Sequence, residues 1–597
     1  MPLRIEDYAL IGDLHTGGLV GKDGSIDWLC LPRFDSASCF SALLGRREEH
    51  GHWKIAPEGG IRRIERRYRD GSLVLETTFE TEDGAVRLID FMPQRQRNPD
   101  VVRIIEGIRG SVPMRMDLLV RFDYGAVIPW VRLIGEHLTF IGGPDALVLH
   151  TPLALHDENG TRVSRFRVDA NTRIPIVLTW FPSHRPLPRA IDPDQALADT
   201  ERYWRLWSSR CTYDGPYRDH VVRSLITLKA LIYRPTGGIV AAPTTSLPEK
   251  LGGVRNWDYR YCWIRDATFT LRALMAAGYR EEARKWRDWL LRAVAGDPKQ
   301  FQILYGPAGE RRVTERELPW LPGYENSRPV RIGNAAAGQF QLDVFGEVMG
   351  CLGQARRVGI DSEPSAWDLQ RALLDYLESA WHRPDEGVWE VRGPRRHFTH
   401  SKVMAWFAFD RAIAAVEHFG LDAPVERFRA LREQIHREVC ERGWDEEKQT
   451  FTYFYGSRSP DASLLMLPLI GFLPPDDPRI MGTIRCIERE LARGPFIYRY
   501  SGEASEKIDG LPPGEGAFLP CSFWYAQALH LMGRHEEARR VFESILAVAN
   551  DVGLLSEQYD VDARRLLGNF PQAFTHVGLV NGALHSWTIA KPGTYRS

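Results

Sequence analysis

Residues 270–286 read TLRALMAAGYREEARKW, and residues 525–541 read YAQALHLMGRHEEARRV. Each stretch is a run with helical spacing, a glycine at its end, and a second helical run opening on Glu-Glu-Ala-Arg. The glycine permits the left-handed turn that closes a helix, and the paired acids suit the positive end of the helix that follows. The repeated unit is therefore a helical hairpin. Two copies 255 residues apart, with further hairpins between them, predict either an open α-solenoid or a closed α/α barrel. The first would be a binding scaffold; the second encloses a pocket.

Outward from the repeat, the second half of the chain is helical. Amphipathic spacing predicts helices at 219–233, 266–277, 280–294, 335–358, 402–419, 424–440 and 522–548. Upstream, DPDQALADTERYWRLWSS (192–209) opens on an acid and a proline suited to a helix start, and reads as a linker helix. Before residue 185 the period is that of strands. Asp23-Gly24, Asp70-Gly71 and Asp83-Gly84 are hairpin turns, and strands are expected at 72–80, 85–91, 101–109, 115–122, 146–151, 161–168 and 174–181. Many antiparallel strands in so short a span predict a β-sandwich. The expected division is a β-sandwich domain over 1–190, a linker helix over 191–215 and a helical domain over 216–597.

Composition agrees with a large soluble protein of two or more domains. The 597 residues are 44% hydrophobic and 26% charged, which excludes disordered, collagenous and coiled-coil classes. Lys+Arg 77 against Asp+Glu 78 leaves a net charge of -1, and only 10 of the bases are lysine. The balance argues against nucleic acid and for a neutral ligand. Eight scattered cysteines without a C-x-x-C pair point to reduced thiols rather than zinc or disulfides. No stretch is long and apolar enough for a membrane span, and Met1 to Tyr8 carries acids where a secretory leader needs bases, so a cytoplasmic location is expected. A homo-oligomer is compatible with all of this.

Three segments depart from plain amphipathic helix: Asn256-Trp257-Asp258-Tyr259-Arg260-Tyr261-Cys262-Trp263-Ile264-Arg265-Asp266, Gly387-Val388-Trp389-Glu390-Val391-Arg392-Gly393, and Ser556-Glu557-Gln558-Tyr559-Asp560. Aromatic rings beside carboxylates and arginines are what a sugar site requires, since pyranose C–H faces stack on rings while hydroxyls need directional polar partners. Taken singly, a Trp-rich loop is as readily core packing, and a lone loop glutamate is usually solvated.

Together, and in this order, Trp263-x-Arg265-Asp266, Trp389-Glu390 and Ser556-Glu557-Gln558-Tyr559 resemble the signature segments of glycoside hydrolase family 15, the glucoamylases and bacterial trehalases. Tyr8-Ala9-Leu10-Ile11-Gly12-Asp13, Gly24 to Leu29 and Pro32-Arg33-Phe34-Asp35 resemble the N-terminal domain of its prokaryotic, two-domain members. The resemblance implies a β-sandwich joined by a linker helix to an (α/α)6 barrel, which selects the closed barrel. It also implies inverting hydrolysis of an α-glucosidic bond, with Glu390 as general acid and Glu557 as general base. Arg265 and Asp266 match the pair that holds the non-reducing glucosyl unit, with Tyr259 and Trp263 as ring neighbours. Trp389 and Arg392 complete the expected substrate-binding set. No metal or cofactor is implied.

An inverting enzyme needs its two carboxyls about 6.5–9.5 Å apart, with a water between one of them and the sugar. Residues 390 and 557, on different loops, can supply that spacing. Glu390 must stay protonated, for which Trp389 offers desolvation; Glu557 must ionise, with Gln558 or Tyr559 as orienting neighbours. Asp266 is placed to favour the positive transition state as well as to hold hydroxyls. Glu386 is the nearest competitor for the acid, but Asp385-Glu386-Gly387 reads as a turn. His397 and His400 lack a third metal ligand. Gln339 to Asp343 reads equally as helix start or pocket wall, and whether Arg33-Phe34-Asp35 closes the pocket is open.

Many starch-active relatives carry a second glutamate directly after the acid; here that residue is Val391. With no export signal, and with only a short tail after Trp587 where a starch-binding module would attach, trehalose is the leading expected substrate. A glucoamylase-type exo-α-glucosidase acting on maltooligosaccharides or isomaltose is the alternative. An inverting disaccharide phosphorylase and a non-catalytic helical scaffold rank below it.

Overall fold

Asp23-Gly24, Asp70-Gly71 and Asp83-Gly84 turn the chain between Gly17–Gly21 and Ser25–Cys30, between Ile61–Tyr68 and Leu75–Thr81, and between Leu75–Thr81 and Gly84–Phe91. The computed structural model describes residues 2–360, 364–501 and 508–586; Trp587 and the tail lie outside them. At Gly24, φ is 79° and a Cβ would lie 2.1 Å from the Ile55 carbonyl oxygen, so glycine is required twice over.

The strands form an antiparallel β-sandwich whose two sheets share one strand. Asp100–Leu119 runs for 20 residues. Its first half pairs with Gly84–Phe91 and Arg173–Pro182, its second with His52–Pro57 and Thr161–Asp169. The separate strands expected at 101–109 and 115–122 are thus one. Gly107 and Gly110 carry the chain from sheet to sheet without a break, where a Cβ on Gly107 would lie 1.9 Å from the Asp169 carbonyl oxygen. At the centre Arg103, fully buried, donates to Asp90 at 2.7 Å and to the carbonyls of Trp53 and Gly24 at 2.8 and 2.7 Å. A buried guanidinium is tolerated only when its donors are met in this way.

Asp192 caps the linker helix α1 (Pro193–Ser208), accepting from the amides of Asp194 and Gln195. Helix α2 (Arg218–Ala230) follows, and then the barrel proper. Its outer helices are α4 (Arg280–Ala293), α6 (Pro364–Ala380), α8 (Val425–Arg442), α10 (Pro478–Leu491) and α12 (His535–Leu546), with α2 closing the outer layer against the last inner helix. The inner helices are α3 (Ile264–Ala276), α5 (Asp343–Arg357), α7 (Thr399–Phe419), the short α9 (Met466–Leu469), α11 (Leu519–Leu531) and α13 (Ala573–Ser586). Each packs on the next and α13 packs back on α3, so the ring is closed. The two repeats are hairpins α3–α4 and α11–α12, turning at Gly278 (φ 99°) and Gly533 (φ 80°) with Glu281-Glu282 and Glu536-Glu537 in the following first turns.

Two expected helices are corrected. The one at 335–358 begins only at Asp343, after a 3-10 turn at Ala335–Gly338, and the one at 522–548 is broken at Gly533.

Both halves share one buried hydrophobic cluster. The Trp28 indole donates to the Pro243 carbonyl at 2.8 Å, Tyr324 to the Leu3 carbonyl at 2.9 Å, and Arg66 pairs with Asp551. The β-sandwich thereby braces the segment that leads into the first inner helix.

Candidate active site

The N-terminal ends of the inner helices converge on a cavity of about 670 Å³. Arg265 and Asp266 sit in the first turn of α3, Phe518 precedes α11, and Gln572 and Phe574 flank the start of α13. All eight residues expected at the site line this cavity: Tyr259, Trp263, Arg265, Asp266, Trp389, Glu390, Arg392 and Glu557. Among the described residues its wall runs from Ala241 to Phe574, so the loop Arg33-Phe34-Asp35 does not line it; Arg33 is held instead by Asp35 and Glu310.

The two glutamates approach from separate loops. Glu390 accepts from the Trp263 indole N–H at 2.7 Å and from Arg265 at 3.3 Å. Arg265 also grips Asp266 at 2.9 Å and the Val388 carbonyl at 2.8 Å, tying the acid pair to the loop that carries Glu390. Glu390 itself lies at φ 58°, in the left-handed region that a non-glycine residue adopts only under constraint. The Gln339 amide, donating to the carbonyls of Glu390 and Val391, supplies part of that constraint. Glu557, 2% exposed, accepts from the Tyr259 hydroxyl at 2.6 Å. Tyr259 and Trp263 meet edge to face at 5.4 Å between centroids, so one contiguous pair of rings connects the two carboxyls.

Burial pushes Glu390 above the ordinary carboxylate range; Arg265 and the Trp263 N–H oppose this and Asp266 reinforces it. Burial and the neighbouring Glu249 push Glu557 well above that range, against Arg499 and the Tyr259 hydroxyl. Trp389 packs against Phe518 and Trp524 and donates to Asp461 at 2.6 Å; burial pushes Asp461 up to about 7. Arg392 pairs with Glu315 at 2.9 Å and lies 4.5 Å over Trp257, which also receives Arg331 at 4.7 Å.

Several placements revise the expectations. The tyrosine that contacts Glu557 is Tyr259; Tyr559 packs on Phe496, and the buried Gln558 side-chain amide has no hydrogen-bond partner among the described residues. Glu386 lies outside the cavity wall, accepting from the Phe340 amide and paired with Arg395 at 2.8 Å. His400 is buried near Arg265, and desolvation with that positive charge pushes it down to about 3; His397 stacks on Tyr455. Among the described residues no group of three or more His, Cys, Asp or Glu is placed to hold a metal ion. Asp343 opens α5 with both carboxyl oxygens buried and, among the described residues, unpartnered, and burial pushes it up to about 6.

The sequence reading missed a charged wall beside Glu557. Glu249 and Glu515 both pair with Arg499, Arg255 pairs with Asp509 at 2.6 Å, and Tyr500 donates to Asp509 at 2.9 Å. Arg255 directly precedes the first aromatic segment, the only local signal among these residues. Val391, 1% exposed, faces the core, so no carboxylate follows the acid on the cavity side.

The model of the glycosyl hydrolases family 15 matches residues 215–584, and that of the trehalase-like N-terminal domain matches residues 1–204. A trehalase of Thermoplasma volcanium is 34% identical over 589 residues, spanning 97% of this chain and 93% of its own. A trehalase of Mycobacterium tuberculosis is 36% identical over 621 residues, spanning 98% and 90%. A crystal structure of a bacterial glucoamylase complexed with acarbose matches the fold with a TM-score of 0.73 at 13% identity, over 98% of this chain and 94% of that one. With a sandwich, a closed ring of helices and two carboxyl groups facing one cavity, the chain belongs to the glycosyl hydrolases of family 15.

Proposed function

We propose that the chain is an inverting trehalase, which splits α,α-trehalose with water into two glucose molecules. The observation that carries the chemistry is the placement of Glu390 and Glu557 on separate loops around one cavity, joined through Trp263 and Tyr259. The near full-length likeness to trehalases supports the substrate.

In this reading Arg265 and Asp266 exchange their mutual contacts for the hydroxyls of one glucosyl unit. Glu390 gives its proton to the bridging oxygen as the bond breaks, and the positive charge that develops at the anomeric carbon is favoured by Asp266. Glu557 removes a proton from a water on the opposite sugar face, and the attack inverts the anomeric carbon. Arg392 and Trp257 face the departing glucose, where a starch-active relative would present a second glutamate. The working division is a sandwich over 1–190, a linker over 191–215 and a catalytic barrel over 216–597. The eight cysteines are free, seven of them buried, which supports a reducing, cytoplasmic location.

Proton NMR of trehalose hydrolysis tests the proposal in one measurement. One β-glucose and one α-glucose are expected before mutarotation mixes them; two α products overturn the mechanism. Glucose release from maltooligosaccharides or isomaltose far faster than from trehalose would replace trehalase by a glucoamylase-type exo-α-glucosidase. Formation of glucose 1-phosphate in phosphate buffer would indicate a phosphorylase, and inactivity on all these sugars a scaffold.

A further inference from the structure

A second cavity lies at the far end of the barrel, where the inner helices α3, α5 and α7 finish. Its empty space, counted out into open solvent, is about 560 Å³, and it carries four arginines: Arg272 of α3, Arg356 and Arg357 of α5, and Arg411 of α7. The rest of its wall includes Phe407, Phe419 and Ile470. From Asp343, at the catalytic end of α5, to Arg356 the helix rises about 20 Å, so the two cavities are separate.

Among the described residues, no carboxyl lines this cavity beside them. The helix dipole favours bases in the last turn, which covers Arg356 and Arg357, but Arg411 stands two turns before the end of α7. Arg356 donates to Gln370 at 2.5 Å and lies 5.2 Å over Trp367, yet among the described residues its buried Nε has no partner. Arg411 pairs with its neighbour Asp410, which also accepts from Arg432 at 3.0 Å. Glu347, on the buried side of α5, is pushed up to about 8 by burial and Asp343, and so brings no full charge at neutral pH. Burial together with repulsion from Arg411 and Arg272 holds Arg357 below the usual range.

A glycine marks the same place. Helix α5 contains Gly346, Gly350 and Gly353, and glycine weakens a helix interior. At the first two a Cβ would lie 2.4 Å from the Met404 carbonyl oxygen and 2.7 Å from the Phe407 ring, so close packing of α7 explains them. At Gly353, in the cavity wall, a Cβ meets nothing within 4 Å among the described residues. What Gly353 preserves is open space beside the arginines.

We infer that this cleft binds a small organic phosphate, its phosphoryl oxygens on the guanidinium groups of Arg272, Arg356, Arg357 and Arg411 and its uncharged part against Phe407, Phe419 and Ile470. Guanidinium forks match the geometry of phosphoryl oxygens, and a bare phosphate would leave the apolar wall uncovered.

Isothermal titration of the full-length protein at constant ionic strength tests this, with glucose 6-phosphate, ADP and inorganic phosphate as probes. One saturable site is expected for at least one of the organic phosphates, at least tenfold tighter than for inorganic phosphate. Arg357→Ala and Gly353→Leu, the second filling the cleft without removing a charge, should each weaken it at least tenfold while leaving trehalose hydrolysis at the wild-type rate. Glu390→Gln should leave the binding unchanged. Absence of saturable binding by either organic phosphate at millimolar concentration overturns the assignment. So does binding that survives both cleft substitutions, or inorganic phosphate binding as tightly as the organic probes.

Discussion

Glu390 and Glu557 reach the same cavity from surroundings of different charge balance. Around Glu390 stand mainly donors and bases, the Trp263 indole, Arg265 and, farther out, Arg392, with Asp266 as the opposing carboxyl. Around Glu557 stand other carboxyls, Glu249 foremost and Glu515 behind it, against Arg499 and the Tyr259 hydroxyl. Burial raises both, so desolvation alone does not distinguish them. The wall beside Glu557 holds four carboxyls, Glu249, Asp509, Glu515 and Glu557, against two guanidiniums, Arg255 and Arg499, and this imbalance disfavours full ionisation. The Glu249 charge therefore raises the proposed base, and the two carboxyls titrate as a coupled pair. The contrast teaches that exclusion of water raises both groups, while at the proposed acid Arg265 and an indole moderate it and at the proposed base a neighbouring carboxyl adds to it.

The contrast can be broken most directly at the two glutamates themselves. Glu390→Gln and Glu557→Gln are each expected to lower kcat on trehalose by about 10²–10⁴-fold with an unchanged circular dichroism spectrum; wild-type turnover in either would end its assignment. Tyr259→Phe removes the hydroxyl held 2.6 Å from Glu557, and a lost hydrogen bond to a charged group should reduce kcat/KM by about 10- to 100-fold. Because that bond lowers the Glu557 pKa, the acid limb of the pH–rate profile should also move up. Glu249→Gln acts in the opposite sense. Without the Glu249 charge Glu557 stays ionised to lower pH, so the acid limb should move down; an unmoved limb would show that the two carboxyls do not interact. The smallest effect is expected from Arg392→Gln. Arg392 lowers the Glu390 pKa, so its removal should shift the basic limb slightly upward, and a downward shift would contradict the surroundings assigned to the acid.

What could be read in the sequence was whatever leaves a local mark. Asp-Gly turns and the glycines of the helical repeat declare themselves because the backbone there needs a positive φ. The aromatic segments around 256–266, 387–393 and 556–560 stand out by density, and the structure brings them to one cavity. Strands Tyr8–Gly12, Gly17–Gly21 and Ser25–Cys30 escape the two-residue period because every residue in them is buried. Helix α13 is missed for the same reason, being buried on all sides over nearly its whole length, whereas the outer helix α12 alternates as an amphipathic helix should. Glu249 and Arg499 were invisible among 78 acids and 77 bases. Their burial follows from distant packing, in which the Gly516 amide donates to the Glu249 carbonyl and Lys250 reaches the Pro513 carbonyl.

The left-handed backbone at Glu390 has a consequence for the stability of the whole molecule. A side chain held at φ 58° stores about 1–3 kcal/mol that a relaxed turn would not. Two variants isolate it, since Glu390→Ala and Glu390→Gly both delete the carboxyl and differ only by a Cβ. The glycine variant should unfold at the higher temperature, by about 1 kcal/mol in stability, reversing the order that these residues follow in a helix. The proposed proton donor would then occupy a position where heat resistance and turnover pull the sequence in opposite directions.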